Sequence, residues 1–167
     1  FSGHAIGKGS FLGSEIIAST GLGGSDTDRD IRRQLLLLIS GERVPIPDQN
    51  TLYFVLTPPG VAVSLWKEMS CQSFCGYHDA IDNGVFYAVV PFPACDVCTN
   101  LGQLSVIESL TATISHALCE AITDPIPGTG WYDDIYGKVA DVCAWQFKPG
   151  SAWTVQKQWS HDQGKCV

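Results

Sequence analysis

Apolar residues change their period along this chain, and the changes mark out its elements. From Ser25 the string SDTDRD puts acidic groups in a first helical turn, and Ile31, Leu35, Leu38 and Ile39 recur at helical spacing until Gly41 stops the run. This predicts a buried-face helix over Thr27 to Ser40. The preceding string FSGHAIGKGSFLGSEIIASTGLGG mixes Gly and Ser with short apolar pairs, which predicts irregular chain or one short edge strand around Phe11 to Ile17. After the polar turn ERVPIPDQN, Leu52 to Thr57 and Val61 to Trp66 read as strands broken at Pro58-Pro59-Gly60, and Val85 to Val90 as the next strand. A second helix over Ser105 to Ile122 is written most clearly. Ser105 and Glu108 form an S-x-x-E capping box, Ile107, Leu110, Ile114, Leu118 and Ala121 make one stripe at about 100° per residue, and Asp124-Pro125 ends the run. Ser109, Thr113, His116 and Glu120 project from the other side, so the expectation is one greasy face toward the core and one polar, functional face. A Pro/Gly turn, Trp131-Tyr132, Asp133-Asp134 and a sheet-like or irregular tail complete the chain.

Composition narrows the class. With 167 residues, 45% hydrophobic and 16% charged, the chain has material for one core and is no disordered segment, so residues 1–167 are expected to form a single α+β domain. Ten basic against seventeen acidic residues give a net charge of −7, the wrong sign for gripping phosphate backbones, so no nucleic-acid partner is expected. The longest apolar run, Leu35 to Ile39, is too short to cross a bilayer, and no membrane partner is expected. The first residue is Phe1, which fits a processed form. Seven cysteines suggest an oxidising, extracellular setting, with one left unpaired.

His116 and Glu120 are spaced i and i+4, about 5–6 Å apart on one helical face and able to chelate one ion, with zinc the natural candidate. The spacing is that of the H-E-x-x-H motif of zinc peptidases, here His116-Ala117-Leu118-Cys119-Glu120. Taken alone, the pair reads rather as a solvated polar face with a weak His–Glu contact. Cys71-x₃-Cys75 and Cys95-x₂-Cys98 approximate a zinc ribbon, while disulfides are the commoner use outside the cell. No G-x-S-x-G elbow, P-loop or dinucleotide fingerprint is present.

The segments LYFVLTPPGVAV, SFCGYH, ISHALCEAITDP, GWYDD, VADVCAW and QWS followed by KC resemble, in this order, the secreted phosphate-induced (EXORDIUM-like) family. The likeness runs from about Leu52 to the C-terminal end. It implies an extracellular protein with a zincin-like fold: a mixed sheet of about four or five strands, a backing helix and a metal-site helix. It also implies His116 and Glu120 as zinc ligands, with Asp141 as the likeliest third and Asp133 and Asp134 in reserve. Family members extend further at the N-terminus, which makes a fragment of the same precursor a candidate partner beside a peptide or protein substrate.

His78, in the matched CGYH string, is a substrate contact, a support for a ligand, or a cap on a disulfide-pinned loop. His4 and His161 are expected in solvent. Trp131 and Tyr132 are placed at the rim of the site because they fall between the helix and Asp141, and Tyr136, Trp145, Trp153 and Trp159 are further aromatics for a groove. Spacing leaves the disulfide connectivity open; the expectation is pairing between the Cys71/Cys75 and Cys95/Cys98 clusters and of Cys143 with Cys166, leaving Cys119 as an inert buried thiol first, then a linkage to a missing fragment, then a ligand.

The chief departure from the motif is Ala117. A peptidase of this type needs a carboxylate there to take a proton from the attacking water and pass it to the leaving amine, and alanine does neither. The sequence thus reads as a metallopeptidase-like protein that is inactive or weak in this form, with a gain of activity expected for Ala117→Glu. The rival is a non-catalytic extracellular binding or defence protein, such as a carbohydrate binder or inhibitor, with a structural metal or none.

Overall fold

The computed structural model describes residues 6–18, 24–82, 84–101, 103–149 and 153–167, so His4 lies outside the described residues. The chain runs β1 (Ser25–Thr27), α1 (Asp28–Ser40), β2 (Leu52–Leu56), β3 (Ala62–Leu65), β4 (Glu68–Met69), β5 (Tyr77–Ile81), β6 (Val85–Val90), α2 (Val106–Thr123), β7 (Tyr132–Asp133) and β8 (Gly137–Lys138). A 3₁₀ turn (Asp141–Cys143) then leads to β9 (Phe147–Pro149), β10 (Thr154–Gln156), β11 (Trp159–Ser160) and β12 (Lys165–Cys166). The class is α+β, as expected, although the strands do not merge into one sheet of four or five. The order β2-β6-β5 forms one mixed three-stranded sheet, in which β2 is parallel and β5 antiparallel to β6. A second such sheet has the order β1-β3-β4, and the rest are two-stranded.

Both helices start where their capping residues dictate. The Ser105 hydroxyl accepts from the Glu108 N–H while the Glu108 carboxylate accepts from the Ser105 N–H. Thr27 and Asp30 repeat the exchange at α1, with aspartate in the glutamate role. Residues 6–18 carry no strand: Phe11 and Ile16 are exposed, and Glu15 is tied only by an ion pair with Arg43, so the apolar pairs there find no sheet to join.

Side chains alternate across the β2-β6-β5 sheet, and the two helices take opposite faces. Ile31 and Leu35 of α1 pack on Tyr53, Tyr87 and Val89. On this face Asp28 accepts hydrogen bonds from the Tyr77 (2.7 Å) and Tyr87 (2.6 Å) hydroxyls and from Arg32 Nε (2.6 Å). The other face presents His78, Ala88 and Val90 to α2.

The packing of α2 meets the expected orientation only in part, with Ala121 of the apolar stripe buried and Leu110 and Ile114 half-buried. Its buried residues are Ser109, Ala112, Ala117, Glu120, Ala121 and Thr123, whereas Ile107 (56% exposed), Leu118 (40%) and Ile122 (45%) face outward. Close approach is the cause. A methyl added at Gly76 would come within 2.6 Å of the Thr113 side chain and 3.1 Å of the Val89 carbonyl, so the face that meets this layer must be built from small residues. The C-terminal end of α2 is held by Asp124, which is fully buried and accepts from the N–H groups of Gly128, Thr129 and Gly130.

Three disulfides brace the loops, Cys71–Cys95, Cys75–Cys98 and Cys143–Cys166, as expected from pairing between the clusters; they also exclude the ribbon. Each spans 23 or 24 residues, which corresponds to about 3 kcal/mol of loop-closure stabilisation. They point to an oxidising, extracellular-type environment. Among the described residues no helix is long and apolar enough to cross a membrane. Cys119 is the free thiol, half-buried, with burial and the neighbouring Glu120 charge pushing it up to about 11.

Candidate metal centre

His116, Glu120 and Asp141 come together, each offering a ligand atom within 4.8 Å of the others. One turn of α2 sets His116 Nε2 3.1 Å from Glu120 Oε1, and the start of the 3₁₀ turn brings Asp141 Oδ1 to 3.6 Å from the same nitrogen. Glu120 is sealed from solvent and Asp141 is about half exposed, so the centre is closed on one side and open on the other. Gly137 lets the chain turn tightly against Asp141: its φ is +92°, and a Cβ there would sit 3.0 Å from Asp141 Oδ2. The neighbouring Lys138 N–H donates to that same oxygen at 3.3 Å.

Gln156 fixes the histidine. Its Nε2 donates to the Ala140 carbonyl (2.8 Å), which turns its Oε1 toward His116 Nδ1 at 3.2 Å. With Nδ1–H donating to Gln156 Oε1, the neutral ring has its lone pair on Nε2 facing two carboxylates, and those carboxylates favour a second proton on Nε2 in the metal-free protein. On the other side of Glu120, His78 donates from Nε2 to the Asp124 carbonyl (2.8 Å) and brings Nδ1 to 3.3 Å from Oε2. Neither Glu120 Oε1 nor His78 Nδ1 completes a hydrogen bond, although both are buried. The centre is rich in lone pairs and short of protons.

Without a metal, cations of the protein meet part of that deficit. Burial alone would raise the Glu120 carboxyl and lower the His116 imidazole. The His116 imidazole and the Lys138 ammonium, with the His78 ring against the other oxygen, outweigh burial at Glu120 and hold its carboxyl down at about 2. The Glu120 and Asp141 carboxylates, with Gln156, likewise hold His116 above its ordinary value. Asp141 is pushed up by burial and by the Glu120 charge.

The remaining expected site residues divide. His78 is 4% exposed and packs between Glu120 and the Asp124 carbonyl at the end of α2. Trp131 is held by its N–H to the Thr123 carbonyl and Tyr132 projects outward from the β7–β8 hairpin; neither lines the cleft beside the centre. That cleft, about 240 Å³, runs from His116 and Asp141 along Phe74, the Cys75–Cys98 disulfide, Trp145 and Phe147. The reserve ligands stay apart: Asp133 accepts from the N–H groups of Ile135 and Tyr136 and closes the hairpin turn, and Asp134 is exposed. His161 is exposed, as expected. Ala117 is 1% exposed, so a glutamate there would first have to displace packed atoms, and Ala117→Glu is not expected to restore activity by itself.

Sequence reasoning missed Gln156, Lys138 and, of the cleft aromatics, Phe74 and Phe147, whereas Trp145 was among the groove candidates. Gln156 and Lys138 lie in short strands whose side chains gain meaning only from what the tertiary fold sets opposite them. No family model, no curated protein and no solved structure matches this chain.

Proposed function

We propose that the chain is a secreted, zinc-binding protein with a zincin-like, EXORDIUM-like site, inactive or only weakly active as a peptidase because Ala117 stands where the general base belongs. The observation that carries this reading is the orphaned Glu120 Oε1, a buried acceptor facing the acceptor nitrogen of His116 with Asp141 beside them. One nitrogen and two carboxylate oxygens, with an open side, are a donor set that suits zinc and leaves a position for an exchangeable ligand. When bound, zinc supplies Lewis-acid polarisation of an oxygen ligand. The chain's own residues do the rest: Gln156 holds the His116 ring, Lys138 N–H and Gly137 hold Asp141, and His78 holds Glu120. No residue at position 117 is able to carry a proton between water and a leaving amine.

A peptide or protein segment entering the Trp145–Phe147 cleft would reach His116 and Asp141. Those cleft aromatics, with the absent base, also favour a second reading as a binding protein that holds its ligand without cleaving it.

Protein purified without chelator is expected to carry about one equivalent of zinc by elemental analysis, lost in His116→Ala, with little cleavage of unstructured protein substrates. Stoichiometric absence of metal rejects the metal centre. Retention on an immobilised glycan together with a metal-free centre favours the non-catalytic class.

A further inference from the structure

Lys138 stands where a metal centre of this composition has least use for a positive charge. Its ammonium is 3.8 Å from Glu120 Oε2, its side chain is only 22% exposed, and this is the ion pair it makes among the described residues. Its backbone N–H meanwhile holds Asp141 Oδ2, so a single residue of β8 touches both carboxylates of the centre.

We propose that Lys138 is a built-in cation that occupies the charge deficit of the empty centre and competes with the divalent ion for Glu120, making it the residue that sets metal affinity. The inference rests on the metal reading above.

Charge counting gives its direction. Two carboxylates and a neutral imidazole leave −2, which a divalent ion cancels. With the ammonium present the donor set stands at −1, and the same ion leaves an excess of +1 in a region closed to solvent on the Glu120 side. Removing a unit charge from about 6 Å of a divalent ion changes binding about tenfold even with water-like screening, and by more where water is excluded. The metal-free protein gains from the same contact, because a buried carboxylate with no cation nearby is costly. Lys138 therefore trades metal affinity for stability of the empty state, and it acts as a positioning and tuning residue that touches no substrate.

The test is a zinc titration of chelator-stripped protein at fixed pH and salt, by competition with a chromophoric chelator. It compares wild type, Lys138→Met, Lys138→Arg and, as a control for net charge, Lys67→Met at the exposed β3–β4 turn. Lys138→Met is expected to bind zinc at least about tenfold more tightly, with Lys138→Arg and Lys67→Met within about twofold of wild type. In chelator Lys138→Met should melt below wild type, and zinc should raise its melting temperature by more than it raises the wild type's. Zinc uptake by Lys138→Met alone would support competition in its strongest form. Equal or weaker affinity in Lys138→Met, or equal tightening in Lys67→Met, overturns the role of Lys138 and leaves the metal centre standing. Failure of every variant to bind zinc overturns the metal reading and this inference with it. Should Lys138→Met not fold, Lys138→Gln makes the same comparison.

Discussion

Asp28 of α1 and Glu120 of α2 meet opposite faces of the same three-stranded sheet, and their surroundings are opposite in kind. Asp28 is ringed by donors: two tyrosine hydroxyls on one oxygen and Arg32 on the other, with Arg32 also paired to Asp79 and lying over the Tyr87 ring. Asp28 in turn acts on those tyrosines, since burial and its charge push both hydroxyls above their ordinary range. Glu120 faces two imidazoles whose other ring nitrogens are engaged by Gln156 and the Asp124 carbonyl, with the Lys138 ammonium at 3.8 Å, so its partners are titratable or distant cations rather than fixed hydroxyl donors. A carboxylate supplied with donors ties structure together, while one supplied with acceptors calls for a cation. Both carboxylates are largely withdrawn from solvent, and it is the hydrogen-bond inventory around each that makes Asp28 a structural tie and Glu120 a candidate ligand.

The strongest way to break this contrast is to remove each carboxylate in turn. Asp28→Ala strands two tyrosine hydroxyls and an arginine and should cost about 3–5 kcal/mol in denaturant unfolding, with zinc affinity unchanged in the folded fraction. Glu120→Gln should weaken zinc binding at least about a hundredfold, equivalent to about 3 kcal/mol, because a neutral amide replaces an anionic donor. A loss of zinc binding in Asp28→Ala comparable with that in Glu120→Gln would erase the distinction.

The pH dependence of the metal-free protein sharpens the picture. Glu120 titrates at about 2 in the fold against an ordinary 4.5, so its stabilisation is complete above about pH 4.5 and is lost as pH falls toward 2, a change on the order of 3 kcal/mol. His116 is raised above its ordinary 6.5, so its contribution is complete below about pH 6.5 and is lost as pH rises through the folded value. The raised carboxyl of Asp141 works against the fold once it ionises. Thermal melts in chelator should therefore peak between about pH 4.5 and 6.5, and added zinc should move the optimum upward, because binding removes the His116 proton. A metal-free optimum above pH 8 would contradict the assignment. The smallest expected effect is Gln156→Ala, which frees the His116 ring and should weaken zinc about tenfold while leaving the α2 cap and the disulfides intact.

Much of this was legible in the sequence, unevenly. The S-x-x-E box located the start of α2 to the residue, and the i, i+4 pair with a later aspartate identified three side chains that the fold does converge. Periodicity located α2 but assigned its faces correctly only in part. Of the predicted stripe Ala121 is buried, Leu110 and Ile114 are half-buried, and Ile107 and Leu118 are exposed, because the sheet and Gly76 come so close that only Ala, Ser and Thr, with the site residues, fit against them. Apolar patterning reads side-chain chemistry, whereas which face is buried here was decided by size. Trp131 and Tyr132 fall between the helix and Asp141 in the chain, but the hairpin carries Tyr132 outward, and the cleft takes its aromatics from Phe74 and from the segment after Asp141. Lys138 and Gln156 carry no pattern of their own, since their roles arise from partners on other elements.

The most direct test of the central claim is anomalous diffraction from crystals grown with zinc, recorded on both sides of the zinc absorption edge. The account predicts one strong peak bounded by His116 Nε2, Glu120 Oε1 and Asp141 Oδ1, with Gln156 still on His116 Nδ1. Fully zinc-equilibrated crystals with no peak there, and with Glu120 instead hydrogen-bonded to a protein donor, would contradict it.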